Sequence, residues 1–318
     1  MPFITLLRSR AIFMCLLTCA FGVLPSLAQS HEKPLVALVM KSLANEFFLT
    51  METGAREHQR QHAGDYDLIT NGIKDEIDTV AQIKIVDQMI VSRADVIVIA
   101  PADSKALVGV VKKAINAGIL VVNIDNRFDP EVLKSRGMVV PFVGPDNRKG
   151  ARLAGDFLAK TLKSGDPVAI IEGIPTTTNA QQRTLGFMDA MKAVGANVVS
   201  VQSGQWEMGK GNSVAAALLN AHPDLKALLC DNDSMALGAV SAVRAAGRTG
   251  QIQVIGYDNI NAVKPMIADG RILATVDQHA AEQAVFAIQI GLKAHRDRKT
   301  QNQLDDMIGT PVDLVSGR

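Results

Sequence analysis

Leu228 to Ala239 reads LLCDNDSMALGA. The apolar run breaks abruptly into Asp231, Asn232 and Asp233, and Ser234 then opens a segment with helical spacing through Met235, Leu237 and Val240. This is the pattern of a buried strand that delivers polar side chains to its carboxyl end. In an open α/β sheet the ligand crevice lies at such ends. The same grammar recurs in LVALVMKSLAN up to Asn45, VIVIAPADS near Asp103, LVVNIDN at Asp125 and Asn126, and VIGYDN at Asp258. Strand ends carrying Asp, Asn and Gln, with few catalytic partners around them, describe a pocket built to grip a polyhydroxylated molecule.

Working outward, apolar runs alternate with polar turns and amphipathic segments from Leu35 onward. The runs predict strands at Leu35–Met40, Tyr66–Thr70, Ala94–Ala100, Ile119–Ile124, Val139–Val143, Val168–Glu172, Asn197–Val201, Ala227–Cys230, Ile252–Gly256 and Ile272–Val276. Their near-continuous Val, Ile and Leu content is that of parallel strands buried on both faces. Helices are predicted between them, from Phe47–His62 through Ser104–Ala117 to Ala280–Leu292. The fold class is therefore α/β, with doubly wound parallel sheets and right-handed crossovers. MVVPFVGPDN (residues 138–147) and DGRILATVDQHA (residues 269–280) interrupt the rhythm, and they read as passages between two similar lobes.

The chain begins with a basic region at Arg8 and Arg10, an apolar stretch over residues 11–24 and the small-residue site Ser26-Leu27-Ala28. This is the pattern of a cleaved secretory signal over residues 1–28. A membrane anchor needs an apolar core of ~20 residues, longer than this one. Cleavage would remove Cys15 and Cys19 and leave only Cys230, so no disulfide within the mature chain is expected. Acidic and basic residues nearly balance, which gives no electrostatic footprint for nucleic acid.

Ten residues are singled out as ligand contacts. Phe47 and Phe48 follow Asn45 in a chain with only 4% aromatic residues, and rings stack on the C–H face of sugars. Anchoring the first helix is the alternative. Asp125 and Asn126 end a strand, where a carboxylate can accept two hydroxyls or cap a turn. Arg183 stands where the uncharged GIPTTTNAQQ loop enters a helix, positioned either to donate two parallel hydrogen bonds or to face solvent. Trp206, the single tryptophan, lies in the polar stretch GQWEMGKG and suits a lid over a bound ring. Asn232, Asp258 and Gln278 each stand just past an apolar run and complete a wall. His58 and His62 share a helix face at metal-ligand spacing, but their charged neighbours mark a solvated surface, so no metal and no cofactor is expected.

Taken together, SLANEFF, IDN, VGPDNRKGARLAGDFLAK, GIPTTTNAQQRTLGF, NAHPDLKALLCDNDSMALGA and VIGYDNI resemble, in one order from about Leu35 to Val315, the periplasmic sugar-binding proteins of ABC transporters, type I, and most closely the ribose-binding proteins. The resemblance implies a first lobe of residues 33–145 with 279–308 and a second of residues 146–278 with 309–318. Three crossovers near Pro145, Gln278 and residues 307–312 would form the hinge. It implies a monomer that closes on a sugar or polyol and docks on a membrane permease. It assigns Asn45, Phe47, Phe48 and Asp125 to the pocket from the first lobe, Arg183, Trp206, Asn232 and Asp258 from the second, and Gln278 at a crossover. One position departs: ribose-binding proteins follow the Asp with an Arg that holds the sugar, whereas here Asn126 stands there and Arg127 comes one later. That opens the pocket to another pentose or a linear polyol. A glycoside hydrolase using Asp125 and Asp258 lacks a visible activating partner, and a sugar-responsive repressor would need DNA-binding helices where the export signal stands. A protein feeding a chemoreceptor or sensor kinase would use the same pocket.

Overall fold

A computed structural model of the protein describes Met1 and residues 33–305 and 307–317. The export signal expected over residues 1–28 lies outside the described residues. Two six-stranded sheets carry the rest. The first contains β1 (Leu35–Ser42), β2 (Asp67–Ile73), β3 (Val96–Ile99), β4 (Leu120–Ile124), β5 (Phe142–Pro145) and β11 (Met307–Thr310), in the order β11-β5-β4-β3-β1-β2 with all pairings parallel. The second contains β6 (Pro167–Glu172), β7 (Asn197–Ser203), β8 (Ala227–Cys230), β9 (Gln253–Ile255), β10 (Ala274–Asp277) and β12 (Asp313–Ser316), in the order β12-β10-β9-β8-β6-β7. Here β12 alone runs antiparallel, against β10. The two orders correspond strand for strand, β1 to β6, β2 to β7, β3 to β8, β4 to β9, β5 to β10 and β11 to β12.

Helices α1 (Glu46–Gln61), α2 (Thr79–Val91), α3 (Val108–Asn116), α4 (Pro130–Ser135) and α10 (Ala280–Arg296) belong with the first sheet. Helices α5 (Asn147–Ala159), α6 (Thr178–Val194), α7 (Met208–Ala221), α8 (Asp233–Ala245) and α9 (Lys264–Ala268) belong with the second. The chain passes from one sheet to the other after β5, after β10 and between β11 and β12.

The local chemistry explains the elements. All eight residues of β1 are buried, as expected of a strand covered by helices on both faces. Edge strands β2 and β7 are more polar and only partly buried. Asn45, Asp78, Asp129, Asp146 and Asn232 each accept a hydrogen bond from a backbone N–H in the first turn of the helix they precede. Such caps satisfy donors that the helix itself leaves unpaired. The predicted strands are all found, with ends moved by a few residues. Helix α3 starts four residues later than expected from Ser104, because Asp103 and Ser104 form a turn of their own. The short α4, β11 and β12 were not anticipated.

Helices α5 and α6 pack closely at Gly186, where an added Cβ would run into the Arg148 carbonyl and the Ala151 methyl. Gly186→Val is predicted to destabilise the fold by about 1–3 kcal/mol, as overpacking does. Gly64, whose surroundings are open, is the control: Gly64→Ala should stay within about 0.5 kcal/mol in a urea titration.

At the end of β8, Asp231 is fully buried; its Oδ2 accepts from the Gly173 N–H at 3.0 Å and the Thr184 hydroxyl at 3.3 Å. Burial pushes this carboxyl up to about 8. The unfolded chain ionises it near 3.8, so between about pH 4 and 8 the folded state holds the extra proton and stability falls as pH rises. Asp233, pushed up to about 6 chiefly by burial, contributes over the lower part of that window. Asp231→Asn should flatten the loss of melting temperature between about pH 6.5 and 8, and an unchanged slope would remove Asp231 as its source.

Candidate functional site

Residues from the strand ends of both sheets line one narrow cavity. From the first lobe come Lys41, Asn45, Phe47, Phe48 and Asp125. From the second come Asn179, Arg183, Trp206, Asn232 and Asp258. Eight of the ten residues singled out from the sequence are therefore brought together.

The two carboxylates occupy corresponding places. Asp125 immediately follows β4 and Asp258 stands just past β9, and both have positive φ, 59° and 123°. Such backbone is strained for a residue with a Cβ and collects at functional positions. Burial raises both carboxyls above their usual range, against the pull of Arg183 on each and of Lys41 on Asp125. Asn179 hydrogen-bonds Asp125. Asp258 Oδ1 accepts from Gln278 Nε2 at 2.7 Å and from Arg183 Nη1 at 3.3 Å.

Arg183 is 2% exposed and held from several sides. Its Nε donates to Asn147 Oδ1 at 2.7 Å, and its Nη1 also donates to the Asp231 carbonyl at 2.8 Å. Its Cζ lies 3.8 Å from the centre of the Tyr257 ring and 5.5 Å from that of Trp206. A guanidinium so braced loses little freedom when it binds, because its fork is already oriented.

Trp206 is buried rather than standing free as a lid. Its ring lies against Gly173, where any Cβ would overlap it, and Lys41 Nζ is 5.1 Å from the ring centre. Phe48 lies 5.3 Å from the same ammonium, and Phe47 meets Phe48 edge to face at 5.1 Å. Two cap residues double as wall: Asn45 Nδ2 donates to Glu76 Oε1 at 3.3 Å, and Asn232 Nδ2 donates to the Trp206 carbonyl at 3.2 Å. Among the described residues, Asp125 Oδ2 and Trp206 Nε1 have no hydrogen-bond partner although both are buried. One acceptor and one donor in the cavity wall are left for a ligand.

Asn126 and Gln278, also expected in the pocket, are not among the lining residues, and their side chains are engaged behind them. Asn126 Nδ2 donates to the Pro101 carbonyl at 3.0 Å, and its Oδ1 accepts from Ser104 Oγ at 3.2 Å and from the Asn179 N–H at 3.4 Å. Gln278 is spent on Asp258 and on Gln283, whose Nε2 donates to the Gln278 carbonyl at 2.6 Å. Sequence reasoning missed Lys41, Asn179 and Glu76. Lys41 is the penultimate residue of the buried strand β1, 3.3 Å from Glu76 Oε2 and 3.8 Å from Asp125 Oδ2. A lysine inside the apolar run LVALVMK was the available signal. His58 and His62 are stacked at 4.4 Å and bonded to Tyr66 and Asp65, and no group of metal-ligating side chains is found among the described residues.

Residues 36–299 match the periplasmic binding protein domain family. A D-ribose/D-allose-binding protein of Pseudomonas aeruginosa is 64% identical over 310 residues, covering 96% of this chain and 97% of that protein. The ribose import binding protein of Escherichia coli K12 is 30% identical, covering 90% of this chain and 91% of that one. Among solved structures, an ABC transporter solute-binding protein from Burkholderia multivorans, holding an unknown ligand represented as α-D-erythrofuranose, is 69% identical, with a TM-score of 0.88 over 90% of this chain and 100% of that one. One from Actinobacillus succinogenes with bound D-allose is 33% identical, with a TM-score of 0.84 over 90% of this chain and 98% of that one. With its two corresponding parallel sheets and a shared cavity at their strand ends, the chain belongs to the family of periplasmic binding proteins.

Proposed function

We propose that the protein is the exported solute-binding component of an ABC importer, working in the periplasm, and that its cleft takes a monosaccharide of the ribose and allose group. The observation that carries this reading is the cavity wall. Two carboxylates, a guanidinium, an ammonium and three amides supply acceptors and donors, while Phe47, Phe48 and Trp206 supply apolar faces. A pyranose presents hydroxyls at its rim and C–H groups on its faces, which is the complement of such a wall. The named ligands of the Pseudomonas and Actinobacillus relatives support the choice of sugar.

The lobes are taken as residues 33–145 with 279–310 and residues 146–278 with 311–318, the last break moved from residue 308 because Gly309 and Thr310 still pair with β5, and they turn about the three passages between the sheets. Ligand bridging both lobes stabilises the closed form, a hinge motion. A hydroxyl missing from the ligand leaves a buried group unpaired, and selectivity follows from that cost. The closed monomer then presents both lobes to a membrane permease. The chemistry needs neither metal nor cofactor, and the relatives are binding proteins rather than enzymes.

Calorimetry with D-ribose, D-allose, erythritol and myo-inositol tests the reading. Saturable binding of ribose or allose is expected, and ligand at about 100 times its dissociation constant should add about 2.7 kcal/mol of stability. Absence of heat and of any melting shift with all four, in cooperatively melting protein stripped of carried-over ligand, would overturn it. Arg183→Lys keeps the charge but loses the fork, and should weaken binding by about 10- to 100-fold.

A further inference from the structure

Two sets of contacts join the lobes on either side of the cavity, and none uses a side chain that lines it. In the first, the Glu46 carboxylate at the start of α1 accepts from the backbone N–H groups of Asn261 at 2.7 Å and Ala262 at 3.3 Å, which follow β9. In the second, at the start of α6, the Thr178 N–H donates to Ser104 Oγ at 2.9 Å and the Asn179 N–H donates to Asn126 Oδ1 at 3.4 Å. The Ser104 and Thr178 hydroxyls also lie 3.0 Å apart.

The strand correspondence gives these contacts a common logic. Helix α1 follows β1 and α6 follows β6, which are equivalent strands. Asn261 follows β9, and Asn126 follows β4, which are equivalent too. Each set therefore includes a contact from the helix start after the first strand of one lobe to the segment after the fourth strand of the other, and in the second set Ser104, which follows β3, adds a partner from the third. The same pairing is made twice, with the lobes exchanging roles. The chemistry differs: the Glu46 contact is charged and partly exposed, whereas Ser104, Asn126 and Asn179 are at most 3% exposed and neutral.

We infer that these are two closure latches, Glu46 on Asn261 and Ala262, and Asn126 with Ser104 on Thr178 and Asn179, which set affinity without touching the sugar. In this role Asn126 fastens lobe to lobe. A latch stabilises the closed form by the same amount whichever ligand occupies the cavity. Removing one lowers the fraction of protein that is binding-competent, so every apparent dissociation constant rises by one factor.

The inference rests on the sugar-binding reading for its ligand arm. Dissociation constants and rates for D-ribose and D-allose, followed by the fluorescence of Trp206, would be compared in wild type, Glu46→Ala, Asn126→Ala and the double variant. Each single variant should raise both constants by one shared factor of about 2- to 12-fold, expressed in faster dissociation. The factors should multiply in the double variant. Unequal factors for the two sugars, or no change, would overturn the inference. A second arm needs no sugar: with Ser104→Cys and Thr178→Cys, a disulfide forms only when the lobes meet, and Cys230 is buried out of reach. Adding Glu46→Ala should slow its formation in ligand-free protein by a similar factor, and an unchanged rate sinks the latch. If wild type binds neither sugar, the sugar reading falls while this arm still decides the latch.

Discussion

The clamp on Arg183 is the constraint on which the second half of the cleft depends. A guanidinium cannot shed its charge, so burying it obliges the surrounding chain to supply acceptors and a polarisable face. Asn147 at the start of α5, the Asp231 carbonyl at the end of β8 and Asp258 past β9 supply the acceptors. Tyr257 supplies the face, and Trp206 closes over it from β7 and α7. Four separate segments are thereby fixed relative to one cation. The first lobe solves the equivalent problem with a lysine, whose ammonium is paired with Glu76 and Asp125 and flanked by Phe48.

Charge balance in the cavity follows from these two centres. Lys41 and Arg183 face three buried carboxyls, Glu76, Asp125 and Asp258, all raised above their ordinary range by burial despite the cations. The wall is strongly polar yet buried. Such a site is matched by a neutral ligand with many hydroxyls, since a charged one would upset a balance already struck within the protein.

Much of this was legible in the sequence because a polar residue that terminates an apolar run has few alternatives to a strand end. Asp125, Asn232 and Asp258 were recognisable on that ground, and Arg183 by its place at the mouth of a helix. Asn126 and Gln278 were less so. Asp125 lies past β4 with a left-handed φ of 59°, so the alternation of a strand no longer holds there and adjacency to Asp125 said nothing about which side Asn126 would take. Lys41 was hidden inside an apolar run, and its partners Glu76 and Asp125 lie far along the chain, where pairing cannot be read from spacing. Strands β11 and β12, each of four residues, are held in place by pairing with β5 and β10 rather than by any apolar run of their own.

Those last two strands also govern the order in which the molecule can be assembled. The first sheet is complete only when residues 307–310 have been added beside β5, and α10, which covers the same sheet, begins at Ala280, after the whole of the second lobe's parallel core. The second sheet waits until residue 316 for its edge. Neither lobe is therefore finished while the chain is still growing from its amino end. Until residues 307–316 have been made, each sheet of a nascent polypeptide keeps an open edge where its last strand will pair.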